Sequence, residues 1–208
     1  MTGSPTWGPA GGAAATGTVN LNGLEPDRLT EYLAGWFEQM ATQEQRRLLG
    51  HVLRELAGGQ PVKPARLAAL AGLPVDRVEG SLRQMSSEWD PSGQRLVGLG
   101  LTMVPTQRRF RVGGHDLWAW CAGDTLVVPV WIGVPAQVEP AGAVASFVTP
   151  PTDISQVREA VCFNSHYFRS AEAAASWQAQ HPDGLVLPVA EAFEVLRLAW
   201  GDLLPSAG

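Results

Sequence analysis

The chain has 208 residues, 45% of them hydrophobic and 17% charged, with a formal net charge of −5. That is a globular balance, long enough for one sizeable domain or for a small domain joined to a larger one, and its acidic sign argues against a surface built for nucleic acid or anionic membrane. Two cysteines, Cys121 and Cys162, make no disulfide framework and suit a reducing cytoplasm. No basic segment followed by an apolar run opens the chain. The longest apolar stretch, Leu126 to Val134, contains Pro129 and is too short to cross a bilayer. A cytoplasmic protein is expected.

Residues 1–23 are mostly Gly, Ala, Thr, Ser and Pro, too poor in apolar surface to offset the entropy of ordering, and read as a tail. From Pro26, Leu29, Leu33, Trp36, Phe37 and Met40 recur at helical spacing. Thr42 then reads as an N-cap with Gln45 in the capping-box position, opening a helix through Leu48, Leu49, Val52, Leu53 and Leu56 that stops at Gly58-Gly59. A short helix from Pro64 ends at Gly72. After the turn Leu73-Pro74-Val75-Asp76 another runs to about Met85.

Asp90-Pro91-Ser92-Gly93 signals a turn, and Arg95 to Val104 and Arg108 to Val112 read as strands, the second closing at Gly113-Gly114. Helices in a helix-turn-helix pattern followed by a hairpin predict a winged-helix-like part over residues 24–114. Its second helix carries Arg77 and Arg83 against Asp76 and Glu79, so its charge cancels where a DNA reader needs excess Lys and Arg. A helical support for the second half is the favoured reading.

Residues 115–208 read as a mixed α+β part. Leu117 to Leu126 is expected as a short helix or turn, and Val127 to Ile132 as extended. Ala143 to Val148 and Val161 to Phe168 are expected as strands, Ala171 to Gln180 as a helix, Gly184 to Pro188 as a short strand and Ala190 to Leu204 as a last helix. The fold class is therefore α+β: a winged-helix-like helical part followed by a mixed or antiparallel sheet with packed helices.

The cysteines carry the chemical interest, although each by itself reads most plainly as a small buried hydrophobe. If the segment after Cys121 is helical, Asp124 lies three residues on and shares its face; on a strand the two would point apart. A carboxylate beside a thiol can take its proton and return it elsewhere. On a strand, Cys162, Asn164 and His166 would share a face, but residues four apart are too distant for a direct Cys–His bond. His51, His115 and His181 form no metal-ligand spacing, and no glycine-rich phosphate loop is present.

Leu117-Trp118-Ala119-Trp120-Cys121-Ala122-Gly123-Asp124-Thr125-Leu126 resembles the active-site segment of the organomercurial (alkylmercury) lyases. Gly98-Leu99-Gly100-Leu101-Thr102, Glu139-Pro140-Ala141-Gly142 and Val157-Arg158-Glu159-Ala160-Val161-Cys162, with His166 and Phe168 beyond, resemble the same family, so the similarity spans about Leu48 to Phe193. The resemblance implies that Cys121 and Cys162 are catalytic thiols which also hold mercury, and that Asp124 is the catalytic acid and a further mercury contact. Mercury would be substrate and product, with no resident cofactor. It implies organomercurials and low-molecular-weight thiols as partners, mercuric reductase as a candidate acceptor of Hg(II), and neither nucleic acid nor membrane. Mercury is soft and prefers thiolate sulfur. Two thiolates labilise the carbon–mercury bond, and a nearby acid protonates the departing carbon. Trp118, Trp120 and Trp131 are candidates to line an apolar pocket for the organic group, with plain core packing an equal alternative. The chain departs from the family pattern between Ile132 and Glu139, where only Gly133 to Val138 stands in place of a longer, cysteine-containing segment. Phe163 also stands where some members carry another cysteine. A non-catalytic soft-metal binder or sensor using Cys121 and Cys162 is the alternative.

Overall fold

The computed structural model describes residues 20–139 and 141–202. Most of the expected tail and Pro140 lie outside them, and the last helix, expected to run to Leu204, already ends at Trp200, where Gly201 is the C-cap and Gly201 and Asp202 form a turn. Leu21, assigned to the tail, is fully buried with Leu29 and Leu33, because one leucine suffices to cover the end of the helical layer that it meets.

The N-terminal helices fall where the 3.6-residue periodicity places them: α1 (Pro26–Met40), α2 (Gln43–Leu56), α3 (Pro64–Ala71) and α4 (Val75–Gln84). Thr42 accepts from the Gln45 amide at 3.2 Å and Gln45 accepts from the Thr42 amide at 2.9 Å, a reciprocal box of the kind that stabilises a helix by about 1 kcal/mol. Gly72 ends α3 at φ +66, a left-handed conformation that a residue with a Cβ adopts only with strain.

The strands form two antiparallel sheets. The larger holds β1 (Glu88–Trp89), β2 (Leu96–Leu99), β3 (Leu101–Thr102), β4 (Arg109–Val112), β5 (His115–Ala119) and β6 (Ala136–Glu139), in the order β1-β2-β3-β5-β4-β6. The smaller holds β7 (Val144–Phe147), β8 (Tyr167–Phe168) and β9 (Leu185–Pro188), in the order β8-β7-β9. Helices plus antiparallel sheets confirm the α+β class.

Three expectations change. The run Arg95 to Val104 is not one strand, because Gly100, at φ +73, folds β2 back on β3 with Leu99 opposite Leu101. The expected hairpin is rearranged accordingly: β2 pairs with β1, and β4 pairs with β5, so the expected division at Gly114 falls in the turn of a hairpin. Second, Leu117 to Leu126 is not a helix or turn throughout. Its first residues belong to β5, and α5 (Ala122–Ile132) then includes the stretch expected to be extended. The β-branched run and Pro129 argue locally for extension, but Val127, Val128 and Trp131 are buried on a helix packed against α2, α7 (Val189–Trp200) and β5. Tertiary burial outweighs the propensity, a few tenths of a kcal/mol per residue. Third, Val161 and Cys162 close a π-helical turn, Arg158–Cys162, with only Tyr167–Phe168 extended. The shared strand face of Cys162, Asn164 and His166 therefore does not exist.

The remaining helix is α6 (Ala171–Gln180). One hydrophobic core runs from Leu48 through Leu56, Phe110 and Leu117 to Cys121, Val128 and Cys162, joining the helical part to the cysteine-bearing part. A second joins Leu29 and Leu33 of α1 to Leu187 and to Leu196 of α7. Among the described residues no helix is long and apolar enough to cross a membrane.

Candidate active site

Cys121 is the N-cap of α5, in extended conformation at φ −140 and ψ 172. Its sulfur accepts from the Asp124 amide at 3.2 Å, and the Asp124 carboxylate accepts from the Cys121 amide at 3.0 Å. This is the geometry of a capping box with sulfur in place of the usual hydroxyl. The helical alternative for Cys121 and Asp124 therefore holds, through the helix end rather than through a shared mid-helix face.

The first amides of a helix have no partner inside it. In α5 they are met from the second cysteine's segment: Ala122 donates to the Ser165 carbonyl at 3.4 Å and Gly123 to Ser165 Oγ at 3.4 Å. Tyr167 adds a contact to Thr125 Oγ1 at 2.6 Å. Ser165 is three residues beyond Cys162, so docking of this segment on the helix end carries Cys162 to Cys121 across 41 residues of sequence. The two sulfurs and an Asp124 carboxylate oxygen lie within 4.8 Å of one another. Both cysteines are free and buried.

Arg108 ties the halves together. Its guanidinium donates to the Trp120 carbonyl at 3.2 Å, the Ser165 carbonyl at 2.6 Å and His166 Nδ1 at 3.2 Å. Arg108 is buried and, among the described residues, has no carboxylate within ion-pair distance. Its charge instead favours the ionised forms of Cys121 and Asp124.

The electrostatics separate the three groups. Hydrogen bonding from Cys162 holds the Cys121 thiol down to about 6, helped by Asp124 and by the Arg108 charge. The helix N-terminus favours the same thiolate. Cys162 is pushed well above the ordinary thiol range, because its proton is shared with Cys121 and its surroundings are apolar. Asp124 is raised well above the ordinary carboxylate range by desolvation and by the adjacent Cys121 charge. One thiolate, one thiol and one carboxyl able to carry a proton near neutrality stand together.

Beside them lies a cavity of about 150 Å³ lined by Trp36, Phe37, Leu53, Trp120, Trp131 and Trp200, among others. Trp118 does not line it: β5 places Trp118 opposite Arg109, away from the cysteines. The aromatic wall is fixed by Trp131 Nε1 donating to the Trp200 carbonyl at 2.7 Å and Trp200 Nε1 to the Leu33 carbonyl at 2.9 Å. Sequence reasoning missed Trp36, Phe37 and Trp200 as cavity residues, and their helical periodicity marks them only as core. It also gave no role to Arg108 or Gly100. Gly100 presents its turn to the site, where an added Cβ would stand 3.5 Å from Asp124 Oδ1.

A buried dithiol with a carboxyl beside it, bordering an apolar cavity, is a donor set of the class suited to a soft metal that carries an organic group. The family model described as Alkylmercury lyase matches residues 135–200, which include Cys162. An alkylmercury lyase from Staphylococcus epidermidis is 40% identical over 185 residues, covering 77% of this chain and 85% of that one. One from Bacillus cereus is 42% identical over 171 residues, covering 71% and 78%. The chain belongs to the alkylmercury lyase family. The fold is also that of a solved structure described as the mercury-bound form of MerB2, with TM-score 0.68 at 20% identity, over 85% of this chain and 98% of that one.

Proposed function

We propose that the protein cleaves carbon–mercury bonds by protonolysis, converting R–Hg⁺ and a proton to R–H and Hg²⁺. The observation that carries this reading is Asp124 within 4.8 Å of both sulfurs. A pure metal binder needs two thiolates, whereas a proton-carrying carboxyl beside them serves bond cleavage.

Cys121 is the group poised as thiolate, and it captures the organomercurial first. Cys162 retains its proton until the metal arrives. As its sulfur bonds to mercury, that proton passes to Asp124, whose raised affinity suits it to receive and release a proton near neutrality. Asp124 then protonates the departing carbon. The C–Hg pair of electrons forms the new C–H bond, mercury stays divalent, and two sulfurs hold it. Proximity of the three groups supplies much of the rate, and the apolar cavity takes the organic group.

Small thiols remove the product ion, and mercuric reductase is a candidate acceptor in the cytoplasm. No resident cofactor enters this scheme. Incubation of the purified protein with phenylmercury and excess thiol should release benzene. Stable capture of phenylmercury with no benzene would turn the reading to the binder.

A further inference from the structure

Cys162 stands between two cavities. One is the apolar space shared with Cys121 and Asp124. The other, about 300 Å³, is lined by Arg108, Trp120, Arg158, Cys162, Phe163 and His166, among others. Neither Cys121 nor Asp124 borders this second space, and its character is different.

Two arginines, Arg108 and Arg158, are among its lining residues, and Arg158 borders the apolar space as well. Arg158 lies over the Trp120 ring with its central carbon 4.7 Å from the centroid and pairs with Glu88, yet its Nε–H is buried without a hydrogen-bond partner. A buried charged donor left unpaired costs free energy unless something fills it. Arg108 has no carboxylate within reach among the described residues, as above, and His166, bonded to it, is held neutral by burial and by that charge. Phe163, 58% exposed, stands at the rim next to Cys162.

We propose that this second cavity is the docking site for the small thiol that removes mercury, and that it selects thiols carrying a carboxylate. The inference rests on the lyase reading, which leaves Hg²⁺ bridging Cys121 and Cys162. The carboxylate pairs with the part-exposed Arg158 guanidinium, and its buried, unpartnered Nε–H becomes a second donor to the planar anion once the side chain turns toward it. The thiol sulfur then reaches mercury from the Cys162 side. The first exchange forms one Hg–S bond to the incoming thiol and breaks the bond to Cys162, which takes the incoming thiol's proton. A second thiol repeats the exchange at Cys121. The balance is protein-S–Hg–S-protein plus two RSH giving Hg(SR)₂ and two protein thiols, with no change of oxidation state.

The test uses protein loaded with one equivalent of Hg(II) and follows mercury release to 3-mercaptopropionate, 2-mercaptoethanol and cysteamine at equal thiolate concentration. Rates are divided by those for the same thiols acting on a mercury complex of a small free dithiol, which removes intrinsic reactivity. The anionic thiol should exceed the cationic one by about tenfold, in the order of charge, and the preference should shrink with added salt. Arg158→Gln should bring the ratio close to one, and Arg158→Lys should keep part of it. Equal normalised rates on the parent protein overturn the subsite while leaving the lyase reading intact. Failure of the parent to hold mercury at all overturns both. Because the three thiols are compared on the parent, the result stands even where the variants fold poorly.

Discussion

The amide of Cys121 donates to the carboxylate of Asp124 at 3.0 Å while the amide of Asp124 donates to the sulfur of Cys121 at 3.2 Å. This exchange starts helix α5 and, by the same geometry, sets a nucleophilic sulfur beside a proton carrier. The structural and the chemical roles of the pair rest on the same contacts, and the consequences can be separated by substitution.

Asp124→Asn keeps the size and the acceptor oxygen that the cap requires, but it cannot carry a proton. The variant should still capture phenylmercury, seen as a mass shift, while benzene release falls by about 10²–10⁴-fold. Cleavage at the parental rate would make Asp124 structural and assign the proton to another group.

Arg108 bridges the carbonyls of Trp120 and Ser165, so it sets the approach of the two cysteines. Arg108→Gln removes the three charge-assisted bonds to Trp120, Ser165 and His166, worth about 1.5–3 kcal/mol each, and should lower both the unfolding free energy and the affinity for Hg(II). Arg108→Lys, a point charge without the planar fork, should restore only part of either. Denaturant titration and competition with a small dithiol give the two readouts, and unchanged mercury affinity in Arg108→Gln would remove the bridging role.

The Cys121 thiol is held down to about 6, so its folded-state value lies below that of an unfolded cysteine. The sign follows: a depressed thiol stabilises the fold at pH above the unfolded thiol range, and that contribution is lost as pH falls through about 6. Ultraviolet thiolate absorbance should show one cysteine ionising near that pH and the other, Cys162, only at much higher pH. The rate of mercury capture should fall on the acid side along the first transition. Two equal transitions in the ordinary thiol range would contradict the assignment.

Gly100 sits at φ +73, and its carbonyl accepts from the Trp120 amide at 2.9 Å, directly before Cys121. Gly100→Ala should cost about 1–2 kcal/mol from the left-handed backbone alone. The added Cβ meets Asp124 Oδ1 at 3.5 Å, an ordinary contact, so strain rather than collision is the cause. The denaturation midpoint should drop, and an unchanged midpoint would mean that the turn relaxes freely.

The helix α4 that a DNA reader would insert has its cations engaged elsewhere. Arg77 pairs with Glu44 at 2.8 Å, and Arg83 lies over the Trp89 ring at 4.4 Å. Anisotropy titration with duplex DNA at low salt should show no sequence-dependent complex, because few phosphates could be neutralised. A tight complex dissolved by mercury would instead indicate a sensor.

The N-terminal helices, their caps and the class of the fold were legible in the sequence because they are decided locally. Periodicity marks the buried face of α1 and α2, and Thr42 and Gln45 carry their own capping chemistry. Cys121, Asp124 and Cys162 were legible as residues through the resemblance of their segments to one family. Their arrangement was not, because the same residues allow a strand, a turn or a helix end until burial chooses. Helix α5 exists against its local propensity since Val127, Val128 and Trp131 must face the core. Cys162 lies on a π-helical turn rather than a strand, and it reaches Cys121 because Ser165 satisfies amides that the helix end leaves open. Arg108, Gly100 and the aromatic wall act through contacts with residues distant in the chain. Only tertiary structure decides such contacts, since no local signal distinguishes an arginine that clamps two backbone carbonyls from one in solvent.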